Sequence, residues 1–215
     1  DNFGLPQERK RIYIIGTKKT VPDMENFPVE KKTLGDILDR GLPVSDHPFV
    51  RLVLAHYSVE DLIGKAIKDK RGGSNNIHSW DIEYKGPITE EQRDLMNRIL
   101  KERRKKRWAE EYGITWMDGM PLTIEQIRTF YDVPHLLDLL EDLTAKGYLK
   151  KEHPKQKVGN ERKQDPSLPL GYNIVAGKMS FEISKVLDPA DIAPTLVAMD
   201  VQHLYVPDGQ GLRKM

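Results

Sequence analysis

An α+β chain is what this sequence predicts, with several helices, mixed short strands and a winged-helix-like subdomain, and three observations carry the prediction. Ser58 with Asp61, Thr89 with Gln92 and Thr123 with Gln126 each pair a capping hydroxyl with a polar residue three positions on, the signature of a helix start. Between and after these starts lie brief apolar runs punctuated by Pro and Gly, which suit short strands and turns. Two adjacent helical stretches are followed by GYLKKE, a loop, and GYNIVAG, in the order of a winged helix.

The chain opens on NFGLPQERKRIYIIG, where the IYII run fits a buried strand. Gln7, Arg9 and Arg11 are spaced by two, so an early strand start projects all three from one face, a cationic and hydrogen-bonding face that suits an anion. Residues 17–32 are polar and carry Pro22 and Pro28, which predicts a connecting loop. TLGDILDRGLP predicts a brief helix ending at Gly41 and Pro43, and Ser58 opens one through about Lys68. KDKRGGSNNIHSWDIEYKGP reads as a glycine-rich turn feeding a strand over His78 to Tyr84. From Thr89 a helix is expected to run to Tyr112, with Leu95, Ile99, Trp108 and Tyr112 on one stripe and Gly113 as its stop. Thr123 opens a helix to about Tyr131, and Pro134 another through Lys146 with Leu136, Leu139, Leu140 and Leu143 facing a core and Gly147 as its C-cap. Residues 153–170, rich in Lys and Pro, read as a mobile loop, and the remainder as short strands and turns.

With 215 residues the chain can bury one sizeable core, or a modest domain plus part of another. No apolar run approaches the roughly 20 residues that span a bilayer, and no charged-then-apolar leader opens the sequence. The chain starts on Asp1 rather than Met, as one processed or cut from a longer protein would. The absence of Cys excludes disulfides, thiolate metal sites and a cysteine nucleophile within these residues. Six scattered His residues without HExxH spacing read as ordinary surface or core groups, so no metal is expected. A net charge of +1 makes charge distribution more informative than its sum.

Residues 98–107 concentrate seven cationic side chains, Arg103, Arg104, Lys105 and Lys106 at their centre, against the single carboxylate Glu102. Such a run is either a solvated helix face or a phosphate-binding surface with steep salt dependence. The second helix of the winged-helix-like pair carries Asp138, Glu141 and Asp142 against Lys146, which opposes approach to a phosphate-lined groove and favours a packing role. Arg71, Ser74, Asn75, Asn76 and His78 offer base-edge hydrogen bonding on a flexible turn, although a plain helix-to-strand link explains the same residues. Asp81, Glu83 and Lys85 fit a metal-dependent nuclease pattern that any alternating polar strand can also produce.

FGLPQERKRIYIIG closely resembles the Gln-x-Arg-x-Arg motif of DNA (cytosine-5) methyltransferases, with Gln7, Arg9 and Arg11 at the matching positions. KVLDPADIAPTLVAMD followed by DGQGLRKM is similar to the exit of that family's target recognition domain, with its Thr-Leu pair at Thr195 and Leu196 and a basic start to the next motif at Arg213 and Lys214. The stretch WAEEYGITWMDGMPLTIEQI resembles bacterial members with a large recognition domain. The family's Phe-x-Gly-x-Gly, Pro-Cys and Glu-Asn-Val motifs have no counterpart here. The resemblance therefore implies a fragment of the α/β catalytic domain at 1–32, a target recognition domain at 33–200 and a return segment at 201–215.

What the resemblance further implies is the DNA-binding portion of a restriction-modification enzyme that moves a methyl group from S-adenosyl-L-methionine to C5 of a flipped cytosine. The cofactor would be held by residues outside this chain, which would be inactive alone. Partners would be double-stranded DNA and the missing catalytic part, on the same enzyme or on a separate subunit, in the bacterial cytoplasm and away from membranes. Arg11 would bond the flipped cytosine or steady the catalytic loop, Arg9 would support the site or a phosphate, Gln7 would border the vacated space, Thr195 would lie against the backbone near the flipped nucleotide, and Lys and Arg residues of the long helix and of the loop from Lys155 to Lys163 would supply sequence-independent affinity. The competing readings are a stand-alone winged-helix DNA-binding protein and a metal-dependent restriction nuclease.

Overall fold

The structure is a computed structural model and describes residues 6–8, 14, 16–20, 30–69, 73–114, 119–175, 181–196 and 201–215. In chain order its elements are α1 (Pro48–His56), α2 (Val59–Leu62), β1 (Ala66–Ile67), β2 (Asn76–Ile77), α3 (Glu90–Glu102), α4 (Lys106–Glu110), α5 (Ile124–Arg128), α6 (Leu136–Ala145), β3 (Leu149–Glu152), β4 (Lys155–Val158), β5 (Glu161–Gln164), β6 (Gly171–Ile174), β7 (Lys185–Val186), β8 (Leu204–Asp208) and β9 (Gly211–Lys214). The chain is thus a mixture of helices and short strands, and none of its described helices is long and apolar enough to cross a membrane. It divides into two compact units, residues 1–66 with 180–215 and residues 67–179.

The first unit is discontinuous in sequence and joined by a sheet. β7 lies parallel to β8 through Lys185↔Leu204 and Val186↔Tyr205, β8 turns back antiparallel onto β9, and Ala66 pairs with Lys185. The Asp208 carboxylate accepts from the amides of Gly41 and Leu42 and from Arg213 Nε, while Arg213 Nη2 reaches the Asp39 carbonyl at 2.6 Å. Those amide and guanidinium bonds hold Asp208 below the usual carboxylate range. Leu34, Leu187, Ala193, Leu204 and Val206 form a small buried cluster.

Three expectations in this unit change. The brief helix after Thr33 is a single 3-10 turn, Leu34–Asp36. A nine-residue helix, α1, stands where the sequence reading placed none: His47 Nδ1 accepts from the Phe49 amide, Pro48 occupies the first turn, and Phe49, Val50 and Val53 are buried. The helix from Ser58 stops after one turn at Leu62 instead of reaching Lys68. Gly64 adopts φ +76° and donates to the Val186 carbonyl, and the Val186 amide donates to Lys65, so sheet pairing takes the backbone groups a longer helix would have used.

The second unit is built on the leucine-rich faces of α3 and α6. The Thr89 and Gln92 capping box is closed in both directions, at 3.1 and 3.0 Å, and the Thr123 and Gln126 box at 3.3 and 3.0 Å. Leu95, Met96, Ile99 and Leu100 of α3 and Leu136, Leu139, Leu140 and Leu143 of α6 pack in one cluster with Trp80, Trp108, Tyr148 and Tyr172. Gly147 ends α6 with φ +78°. β3 pairs antiparallel with β6, and between them β4 and β5 form a separate hairpin.

The long helix expected from Thr89 to Tyr112 is broken. α3 ends at Glu102, Lys105 is extended, and α4 restarts at Lys106, because the Arg103 carbonyl accepts from the Met120 amide rather than from a helical donor. The expected strand over 78–84 is a chain of turns: Asp81 and Tyr84 donate to the carbonyls of His78 and Ser79, Glu83 takes φ +51°, and Trp80 and Ile82 are buried. The expected mobile loop at 153–170 contains the β4 and β5 hairpin.

Candidate functional site

Gln7 lies beside the segment that carries Thr195, although the two are far apart in sequence. A parallel bridge joins Gln7 to Ala193: the Ala193 amide donates to the Pro6 carbonyl and the Glu8 amide to the Ala193 carbonyl, each at 2.7 Å. The Thr195 hydroxyl donates to the Glu8 carbonyl. Leu34 and Gly35 donate to the carbonyls of Asp191 and Pro189 at 2.8 and 2.7 Å, which anchors the stretch before Ala193 on the small apolar cluster. A Cβ on Gly35 would stand 3.0 Å from the Pro189 carbonyl oxygen, so that close approach favours glycine. Gln7 is half-buried, Thr195 exposed, and Arg9 and Arg11 lie outside the described residues.

The turn before Ile77 divides the proposed base readers. Ser74 and Asn75 are exposed and Asn76 is half-buried, while Arg71 lies outside the described residues. His78 is a core histidine, one of the two readings the sequence allowed, and not an exposed one. It is 5% exposed, stacks parallel on Trp80 at 4.6 Å, and both its amide and Nδ1 are 2.9 Å from Asp81 Oδ2. Its ring is packed inward and does not reach outward as a base reader must.

Part of the basic run is paired with nearby carboxylates. Arg98 bonds Asp94 at 2.9 Å, and Glu102 accepts from Lys105 at 2.5 Å and from Arg107 at 2.9 Å. The Arg107 guanidinium also lies 4.0 Å over the Trp108 ring. Arg103 is a correction to the picture of one exposed face: it is 4% exposed, its Nη1 donates to Asn173 Oδ1 at 2.6 Å, and Asn173 Nδ2 donates to Glu152 Oε1 at 2.7 Å. Burial raises the Glu152 carboxyl, but bonds from Lys150 and Asn173 outweigh it and hold the group below its ordinary value. Sequence reasoning missed Glu152 and Asn173, which sit in strand patterns with nothing to mark Asn173 as the partner of an arginine 70 positions away or Glu152 as the partner of Asn173. Arg104, Lys105 and Lys106 are exposed.

The nuclease pattern is dispersed. Asp81 holds His78, Glu83 approaches Arg93 at 3.9 Å, and Lys85 donates to the Gly147 carbonyl at 2.6 Å beneath burial that lowers its basicity. Among the described residues no three His, Asp or Glu side chains gather as a metal-binding group. A cavity of about 300 Å³ on α3 is lined by Asp94, Asn97, Arg98, Lys101, Glu102 and Phe130. It does not fit S-adenosyl-L-methionine, because its cations oppose the sulfonium charge and its carboxylates already pair with Arg98, Lys105 and Arg107.

Comparison with known proteins places these features in one family. Over 214 residues the chain is 58% identical to the Type II methyltransferase M.NlaIV of Neisseria lactamica, covering all of this chain and 51% of the relative. It is 56% identical to M.NgoBV of Neisseria gonorrhoeae, over 99% of this chain and 50% of that protein, and 34% identical to M.BanI of Aneurinibacillus aneurinilyticus, over 95% and 48%. The chain therefore spans about half the length of the curated relatives it matches. No solved structure matches it. The profile of the C-5 cytosine-specific DNA methylase family matches residues 1–168, and the chain belongs to that family.

Proposed function

We propose that this chain is the target-recognition portion of a DNA (cytosine-5) methyltransferase of a restriction-modification system, acting on double-stranded DNA in the bacterial cytoplasm. The observation that carries the reading is the bridge from Gln7 to Ala193, with Thr195 bonded to Glu8. It brings together the two motif-bearing ends whose resemblance to the family is strongest. Residues 1–32 serve as the end of the catalytic domain, 33–200 as the recognition domain and 201–215 as the return segment. α5, α6, β3, β6 and the β4 and β5 hairpin act as a winged-helix module in which α6 packs rather than reads DNA. Its carboxylates support that role, since Glu141 is bonded to Lys151 and Tyr172, and Asp142 to Lys146 and Gln92.

The chain contains no cysteine, so the nucleophile for cytosine C6 and the site for S-adenosyl-L-methionine belong to a catalytic part supplied elsewhere on the enzyme or by a separate subunit. That cofactor supplies the methyl group. The work of this chain is to select the duplex site and to stabilise an extruded base, whose unstacking costs a few kcal/mol. Arg11 bonds the flipped cytosine or steadies the catalytic loop, Arg9 supports the site or a phosphate, and Gln7 borders the vacated space. Thr195 approaches the backbone, Arg104, Lys105 and Lys106 add sequence-independent attraction, and Arg71, Ser74, Asn75 and Asn76 read bases. Exposing the chain to a pool of randomised duplexes and sequencing what it retains tests this. Enrichment of one site is expected; retention without sequence preference at every salt concentration contradicts it.

A further inference from the structure

The cavity of about 300 Å³ on α3 presents hydrogen-bond donors to whatever enters it. An indole can only donate, and Nε1 of the fully buried Trp80 gives its hydrogen to Asn97 Oδ1 at 3.1 Å. That bond commits the amide oxygen and leaves Nδ2, with two hydrogens, as the polar group Asn97 offers to the cavity it lines. Lys101 stands one turn further along the same helix face and, among the described residues, forms no ion pair. The two carboxylates of the lining are answered by other cations, Asp94 by Arg98 and Glu102 by Lys105 and Arg107, so the charge of Lys101 is left over. The partial negative charge at the C-terminal end of α3, about half an elementary charge, opposes an anion but is smaller than that surplus. The half-buried Phe130 adds an apolar wall.

We infer that this cavity seats one phosphodiester of the DNA backbone, its oxygens bonded by Asn97 Nδ2 and the Lys101 ammonium and its deoxyribose resting on Phe130. The inference rests on the recognition reading above and adds to it a place and a set of contacts. An asparagine that reads adenine uses its oxygen and its nitrogen together, and here the oxygen is already held by Trp80. Asn97 and Lys101 therefore suit a ligand that only accepts. A guanine edge also accepts, but base edges lie on the floor of a groove and are reached by side chains that protrude, whereas phosphates line the outside of a duplex and can enter a hollow. The seat adjoins the exposed cations that follow α3, because Glu102 of its lining is bonded to Lys105.

The test titrates the unaltered chain and three variants with two duplexes of unrelated sequence across a salt series. Lys101→Ala is expected to reduce the slope of log affinity against log salt by about 0.9, one contact, on both duplexes. Lys146→Ala, which removes an ammonium bonded to Asp142 on α6, should leave the slope unchanged. Asn97→Asp keeps an oxygen for Trp80 and puts a carboxylate in place of the donor, so binding should weaken by more than about tenfold on both duplexes while the melting temperature stays level. An unchanged slope for Lys101→Ala, an equal loss for Lys146→Ala, undiminished binding by a folded Asn97→Asp form, or a loss confined to one duplex overturns the assignment and leaves the recognition reading standing. Failure of the unaltered chain to bind either duplex at any salt concentration would remove the recognition reading and this inference with it.

Discussion

Arg103 and Arg104 are neighbours in a basic run and take opposite places. Arg103 turns inward to Asn173, and through it to Glu152, whereas Arg104 lies on the surface. Removing the middle member of that chain takes one hydrogen bond from a buried guanidinium and one from a buried carboxylate at once, so Asn173→Ala should destabilise the second unit by about 1–3 kcal/mol, measured by chemical denaturation. A run of like charges tells a reader how many cations there are but not which one the core recruits, because that depends on strands folded from much later residues. The spacing of Gln7, Arg9 and Arg11 is a local pattern by contrast, and of the three Gln7 lies among the described residues, bridged to Ala193. Tyr205 supplies a pH signature at the same scale. Burial and its hydrogen bond to Glu182 push the phenol up to about 12, above its ordinary value near 10. A raised folded-state value means stability that is complete below pH 10 and is lost as pH rises through about 12. Thermal melts across that window should show the loss, and Tyr205→Phe should remove most of it.

Among elements, the capping boxes at Thr89 and Thr123 and the leucine stripe of α6 were readable, since caps and helical periodicity are contained within a few turns. The β4 and β5 hairpin was not recognised, although KQKV and ERKQ are separated by Gly159 and Asn160, a two-residue spacing that favours a tight turn. Its lysine-rich composition pointed toward a loop and masked the turn signal. Gly159 adopts φ +64°, so Gly159→Val should weaken the hairpin, read as a lowered melting temperature. The strand β6 depends on glycine for another reason. A Cβ on Gly171 would lie 2.8 Å from the backbone of Pro121 and Leu122, where the Leu122 and Tyr172 amides exchange hydrogen bonds. Gly171→Ala should therefore cost on the order of 1–3 kcal/mol, read as a lowered denaturation midpoint. The stop of α2 at Leu62 was hidden from the sequence because its cause, the pairing of Lys65 with Val186, lies more than a hundred residues away.

At the scale of the whole molecule, membership in the C-5 cytosine-specific DNA methylase family explains why a chain with no cysteine carries motifs fitted to a cytosine-modifying enzyme. The Gln7 to Ala193 bridge closes the first unit on itself, so the segments around Gln7 and Ala193 are shaped by one another. The most direct measurement is methyl transfer by a chimera in which this chain replaces the matching half of the Neisseria lactamica relative, with the modified cytosine located by bisulfite sequencing. The account predicts methylation at one duplex site, lost on Arg11→Ala, and no methylation by the chain alone. A chimera that folds and binds DNA yet transfers no methyl group, or an Arg11→Ala form that transfers it undiminished, would contradict the assignment of these residues to the methyltransferase site.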